Sequence, residues 1–136
     1  MPYLMSDDGF PEHPKVDALS DGAYRLHDAG RHYAAKNLTD GNMPARKVAR
    51  LTPHYKASHL AELLDSGVWH RGGEGCSTEH CVKGEPGDYV VHDYLQWNKP
   101  AAWWEEKRRA EAERQAEWRR KQAEKKAREK AVVRRA

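Results

Sequence analysis

The composition of the chain breaks at Asn98-Lys99-Pro100, and that break limits where a core can form. Beyond it Ala, Glu, Lys, Arg and Gln dominate, all strong helix formers. Pairs at i, i+3 and i, i+4, such as Glu105 with Arg108 and Arg109, suit an exposed helix. Its apolar positions are mostly alanines (Ala112, Ala116, Ala123, Ala127), and no Leu or Ile fills a heptad seam, so no strong coiled coil is expected. Large apolar side chains there reduce to Trp103, Trp104 and Trp118. The first 98 of the 136 residues must therefore supply the core. The reading is an N-terminal arm over residues 1–13, a folded domain over 14–98 and a basic helical tail over 99–136.

Charge divides at the same place. From Lys99 onward there are 14 Lys+Arg and 7 Asp+Glu, a net +7, whereas residues 1–98 carry a net −4. A polyanion, commonly nucleic acid, is the natural partner of such a tail; the plainer alternative is a solvated helix. The densest basic run follows Trp118, beginning with Arg119, Arg120 and Lys121, which are read as DNA contacts. No apolar run is long enough to cross a bilayer, and the N-terminus lacks the basic and apolar regions of a signal peptide. A cytoplasmic location is expected, with Cys76 and Cys81 reduced.

Within the domain, Pro14 opens a short helix to Leu19. Ser20 and Asp21 offer N-cap chemistry for a second, from about Gly22 to Asn37. Ala23, Leu26, Tyr33 and Ala34, with Ala29 or Gly30 between, mark its buried face. Asp40-Gly41 is a turn, and Asn42-Met43-Pro44 a minimal edge strand. A helix from Pro44 to Leu51 points Val48 and Leu51 inward and Arg46, Lys47 and Arg50 outward. Thr52-Pro53 breaks it. The next helix runs from about His54 to Ser66, with Leu60, Ala61, Leu63 and Leu64 as its apolar stripe and Gly67 as its stop. Val68-Trp69-His70 and Tyr89-Val90-Val91-His92 read as two strands of a hairpin, joined by a Gly-rich loop from Arg71 to Asp88.

Helix, short strand, helix, helix, strand, long loop, strand is the order of a winged helix-turn-helix. The expected fold is mainly α with a small β-hairpin, followed by a long C-terminal helix. The helix before the hairpin would then enter the major groove of duplex DNA. Its early residues His54, Tyr55, Lys56, Ser58 and His59 would reach phosphates or base edges. Arg46, Lys47 and Arg50 would neutralise phosphates. Winged helices also serve as protein-interaction modules, so an adaptor docking on host replication or transcription machinery is the second reading.

The wing holds His70-x5-Cys76-x4-Cys81-x10-His92. Two thiolates and two imidazoles are a tetrahedral zinc set, structural because protein fills all four positions. A long Gly-rich loop has no core of its own, and a metal would order it. His80 competes with His70 or His92 as the fourth ligand, and two ordinary reduced cysteines beside surface histidines are the alternative. His27 and His32 read as packing or surface residues. With no nucleophile–base pair, phosphate loop or carboxylate pair, no enzymatic activity is expected.

The segments His13-Pro14-Lys15-Val16, Leu19-Ser20-Asp21-Gly22-Ala23-Tyr24-Arg25-Leu26-His27, Ala34-Ala35-Lys36-Asn37-Leu38-Thr39-Asp40-Gly41, Ser66-Gly67-Val68-Trp69 and Tyr89 to Asn98 resemble small proteins of actinobacterial phages and prophages. These are similar to the N-terminal winged-helix domains of phage replication initiators and replisome organisers, of the DnaD N-terminal type. The resemblance spans about residues 10–98. It implies a DNA-binding protein of phage or prophage origin in a host bacterial cytoplasm, acting in replication initiation or transcription control. The second domain of a full replisome organiser has no counterpart in the charged tail.

Overall fold

The computed structural model describes residues 2–135. It is mainly helical, with a small three-stranded antiparallel sheet and a long C-terminal helix. The chain divides into two units, residues 1–101 and 102–136.

In the first unit α1 (Pro14–Asp17) and α2 (Asp21–Asn37) lead to β1 (Asn42–Met43). Then come α3 (Ala45–Val48), α4 (Ala57–Asp65), β2 (Trp69–Arg71), β3 (Tyr89–Val91) and α5 (Tyr94–Trp97). Ser20 caps α2, its Oγ accepting from the Ala23 N–H at 3.3 Å. Leu38 in the left-handed region closes the helix, with its N–H on the Ala34 carbonyl. Ala23, Leu26, Gly30 and Ala34 recur at helical spacing and are buried. Gly30 is fixed by a close approach: a Cβ there would lie 2.6 Å from Met43 Sδ and 2.6 Å from the Trp69 ring. The α2 backbone thus rests directly on the sheet.

β3 is the central strand, in the order β1-β3-β2. Asn42 faces Val90 on one side, and Trp69 faces Val91 on the other. Trp69, Leu26, Met43, Leu63, Val48 and Val90 are the largest fully buried side chains, so one core joins α2, α3, α4 and the sheet.

Several sequence expectations shift. The helix expected from Pro44 to Leu51 is regular only over Ala45–Val48. Asp88, 43 residues away, accepts from the Ala45 N–H at 3.0 Å and supplies the polar partner that Pro44 cannot. The helix expected from His54 begins at Ala57 instead. Tyr55 is drawn against the core and Lys56 is extended, at φ −131° and ψ 143°, so neither lies in the helix. The arm is not a free polar segment. Phe10 lies in a short 3-10 turn, its ring 5.6 Å from that of His27 and 4.0 Å beneath the Arg31 guanidinium. The Met5 N–H also donates to Asn98 Oδ1 at 2.8 Å. His27 is buried on α2, accepting at Nδ1 from the Trp69 indole N–H at 2.9 Å.

The second unit is the helix α6, which spans Ala101–Arg135 from the end of the first unit and buries no residue. Trp103 and Trp104 meet edge to face at 4.8 Å, Lys107 lies 4.7 Å over the Trp103 ring, and Trp118 is 63% exposed. No described helix is long and apolar enough to cross a membrane.

Candidate metal centre

The loop between β2 and β3 has little apolar content, so polar contacts hold it. The Gly72 N–H donates to the Asp88 carbonyl and the Gly73 N–H to the Lys83 carbonyl, each at 2.8 Å. Gly84 sits at φ +72°, and a Cβ there would lie 2.4 Å from Val90 Cγ2, so the loop folds closely over the sheet.

His70 on β2, Cys76 and Cys81 in the loop, and His92 just past β3 converge at the base of this loop. One ligand atom from each lies within 4.8 Å of every other. His92 Nδ1 is 2.6 Å from His70 Nε2, 3.3 Å from Cys81 Sγ and 3.6 Å from Cys76 Sγ. A tetrahedral zinc sets nitrogen–sulfur edges of about 3.6 Å and a nitrogen–nitrogen edge of about 3.3 Å. The thiol spacings match this, and the two rings need to part by about 0.7 Å to admit an ion. His80 is outside the cluster. Its ring lies 3.9 Å from Glu79, and its carbonyl accepts from the Leu95 N–H.

Two further residues complete the centre. Asp93 places a carboxylate oxygen 3.2 Å from His92 Nε2, the ring nitrogen turned away from the thiols. That orients the imidazole and raises its basicity as a ligand. The Asp93 N–H donates to Cys81 Sγ at 3.0 Å, and the Thr78 hydroxyl donates to Asp93 Oδ1 at 2.5 Å. Burial would raise the Asp93 carboxyl, but the Thr78 hydrogen bond and the His92 charge outweigh it and hold it below its ordinary range. The Thr78 backbone hydrogen bond pulls the Cys76 thiol down, while burial pushes the neighbouring Cys81 thiol up. Burial, and then His92, lower His70, which favours the neutral imidazole a cation needs. The sequence reading missed Asp93 and Thr78. A carboxylate next in sequence to a histidine ligand was the available signal for the first.

The residues expected to touch DNA are less uniform. Arg46, Arg50, His54, Lys56 and Ser58 are exposed and Lys47 is half-buried. Tyr55 packs against the core. His59 is half-buried, its ring occupying the space over Gly22 at the start of α2. Glu62 accepts from the Ser20 hydroxyl and N–H at 2.8 and 3.1 Å, tying α4 to α2. In the tail, Arg120 pairs with Glu117 and Glu124, Lys121 pairs with Glu117, and Arg119 has no ion pair among the described residues.

Comparison with protein families, curated proteins and solved structures gives no match to this chain.

Proposed function

We propose that residues 14–98 form a winged helix-turn-helix DNA-binding domain whose wing is held by one structural zinc. The chain would act in replication initiation or transcription control of a phage or prophage. The supporting observation is the strand order β1-β3-β2, with α3 and α4 between the edge strand and a hairpin whose loop is gathered by His70, Cys76, Cys81 and His92. In that arrangement α4 is the helix offered to the major groove and the hairpin loop the part offered to the backbone. Arg46, Arg50 and Lys56 are exposed for phosphate contact, and Ser58 and His54 for base edges. Zinc suits a donor set of two thiolates and two imidazoles with no open position. The likeness of residues 10–98 to phage replication-initiator domains points to the same function.

The adaptor reading has its own support. The exposed positions of α4 are Ala57, Ser58, Ala61 and Asp65, none of them cationic, and residues 1–98 carry a net −4. Selection of bound sequences from a random duplex pool, using the full zinc-loaded chain, separates the two. DNA binding by the domain yields an enriched sequence. Lys56→Gln and Arg50→Gln then weaken all duplexes, whereas Ser58→Ala shifts the preference. A pool that returns no enriched sequence overturns the DNA reading in favour of the adaptor.

A further inference from the structure

The positive charge of α6 is not spread along it. Residues 102–117 hold four Lys+Arg and five Glu, whereas residues 118–135 hold nine Lys+Arg and two Glu. Of those nine, Arg120 and Lys121 are taken up by Glu117 and Glu124. The other seven, from Arg119 to Arg135, make no ion pair among the described residues.

Their arrangement around the axis is informative. An α-helix turns about 100° per residue. Arg119, Lys126 and Lys130 therefore share one flank, and Lys121, Arg128 and Arg135 share the flank about 180° away. Between the flanks lie Ala123, Ala127 and Ala131, at i, i+4 and i+8, with Arg134 between the first two and Glu124 between Ala131 and the second flank. Arg120 falls on the same face and is held by its two glutamates.

We infer that residues 119–135 form a second DNA-binding element that lies in the major groove of a duplex. Its two basic flanks meet the two phosphate strands and its alanine face meets the groove floor. A helix about 10–12 Å across fits a groove about 12 Å wide, and only there does one helix meet phosphates on opposite sides. Small side chains let the backbone approach the floor, where alanine suits the thymine methyl. A membrane surface is the poorer fit, because it needs a continuous apolar face. Trp118 and the Val132–Val133 pair, all exposed, stand about 21 Å apart along the axis. A single strand offers one line of phosphates and leaves a flank unused. The inference rests on different residues from those of the winged-helix domain.

The test compares the full chain with three variants: Lys126→Gln/Lys130→Gln on one flank, Arg128→Gln/Arg135→Gln on the other, and all four together. Each is titrated over a salt series with a random duplex, a single strand of equal length and phosphatidylserine–phosphatidylcholine vesicles. Each flank pair should lower the log–log salt slope for duplex by about 2, and the fourfold variant by about 4. The sequence preference that Ser58→Ala shifts should not move, so this result and that of the domain are read separately. Ala127→Leu keeps charge and helix propensity but lifts the helix from the floor. It should cost duplex affinity about tenfold, the scale of one disturbed base-pair position, and leave single-strand binding unchanged. An unchanged slope in the fourfold variant, an effect of one flank only, Ala127→Leu binding duplex like wild type, or vesicles bound as tightly as duplex would each overturn the inference.

Discussion

The loop between β2 and β3 and the helix α6 both lie outside the hydrophobic core, and they reach order by opposite routes. Between β2 and β3, order comes from contacts distant in sequence. His70 meets His92 across 22 residues, and Asp88 returns across 43 to cap α3. Along α6 the ion pairs and the cation–ring contact are local, Glu117 to Arg120 and Lys121, Arg120 to Glu124 and Lys107 to Trp103, and at its first residue the Ala101 N–H donates to Asp40 Oδ1 at 2.7 Å. The first kind of order is concentrated, so losing one group costs much. The second is distributed, so losing one group costs little. Without a core, a segment of this chain is held either by a few cross-links or by its own backbone hydrogen bonds.

The comparison breaks most visibly if the metal centre is removed. Zinc that binds the folded state alone stabilises it by several kcal/mol at any concentration well above its Kd. Cys81→Ser, or a chelator, should lower the melting temperature of the first unit by more than about 10 °C. Amide exchange should become fast over residues 72–87, while Trp69 and Val91 stay protected because both are packed in the core with Leu26 of α2 and Leu63 of α4. Helicity of α6 by circular dichroism should not change. Protein prepared with zinc under reducing conditions that carries none, or a Cys81→Ser variant that melts like wild type, contradicts the proposed centre.

A smaller effect comes from the core between α2 and the sheet. Burial, and then the Arg31 charge, push the His27 imidazole from 6.5 down to about 3. Its Nδ1 accepts from the Trp69 indole N–H, a role that a doubly protonated ring cannot fill. The Phe10 ring, its centroid 5.6 Å away, covers the imidazole and contributes to the burial that favours the neutral form. The folded value lies below the unfolded one, so the stabilisation is complete above pH 6.5 and is lost as pH falls from 6.5 toward 3. At pH 4.5 the loss is about 3 kcal/mol. His27→Gln keeps an acceptor for Trp69 but cannot titrate. The difference in stability between wild type and variant, both in the same metal state, should shrink by that amount between pH 7 and 4.5. The metal ligands protonate alike in the two proteins and cancel. A difference that stays constant with pH shows that His27 does not titrate as buried.

Much of this was legible because it is written locally. Ser20 ahead of an apolar face at helical spacing identifies α2, and the run of Ala, Glu, Lys, Arg and Gln after Pro100 identifies α6. The four metal-centre residues could be read from residue type and their flanking strands. What escaped depends on contacts between distant residues. Tyr55 looks like the first turn of a helix until the core claims its ring, and α4 then starts at Ala57. His59 reads as an exposed contact until α2 packs across it at Gly22. Arg31 is buried against Phe10, which belongs to a segment that reads as an arm. No periodicity within one helix encodes what a neighbouring element will cover.

The smallest expected effect sharpens the other side of the comparison. Glu117 is the most connected acidic residue of α6, 3.8 Å from Arg120 and 3.5 Å from Lys121. Both pairs are well exposed, with each side chain more than half accessible. In water such i, i+3 and i, i+4 pairs are worth about 0.3–0.5 kcal/mol each, and salt screens them. Glu117→Gln keeps the length and helix propensity of the side chain and removes only its charge. It should reduce the ellipticity of α6 slightly at low ionic strength and not at all in about 1 M salt, where the screening length is about 3 Å. The melting of the first unit should be unaffected under both conditions. A loss of helicity that persists in high salt, or a shift in the first unit's melting, would mean that α6 depends on something other than local pairs. Its order would then be of the same long-range kind as that of the loop between β2 and β3.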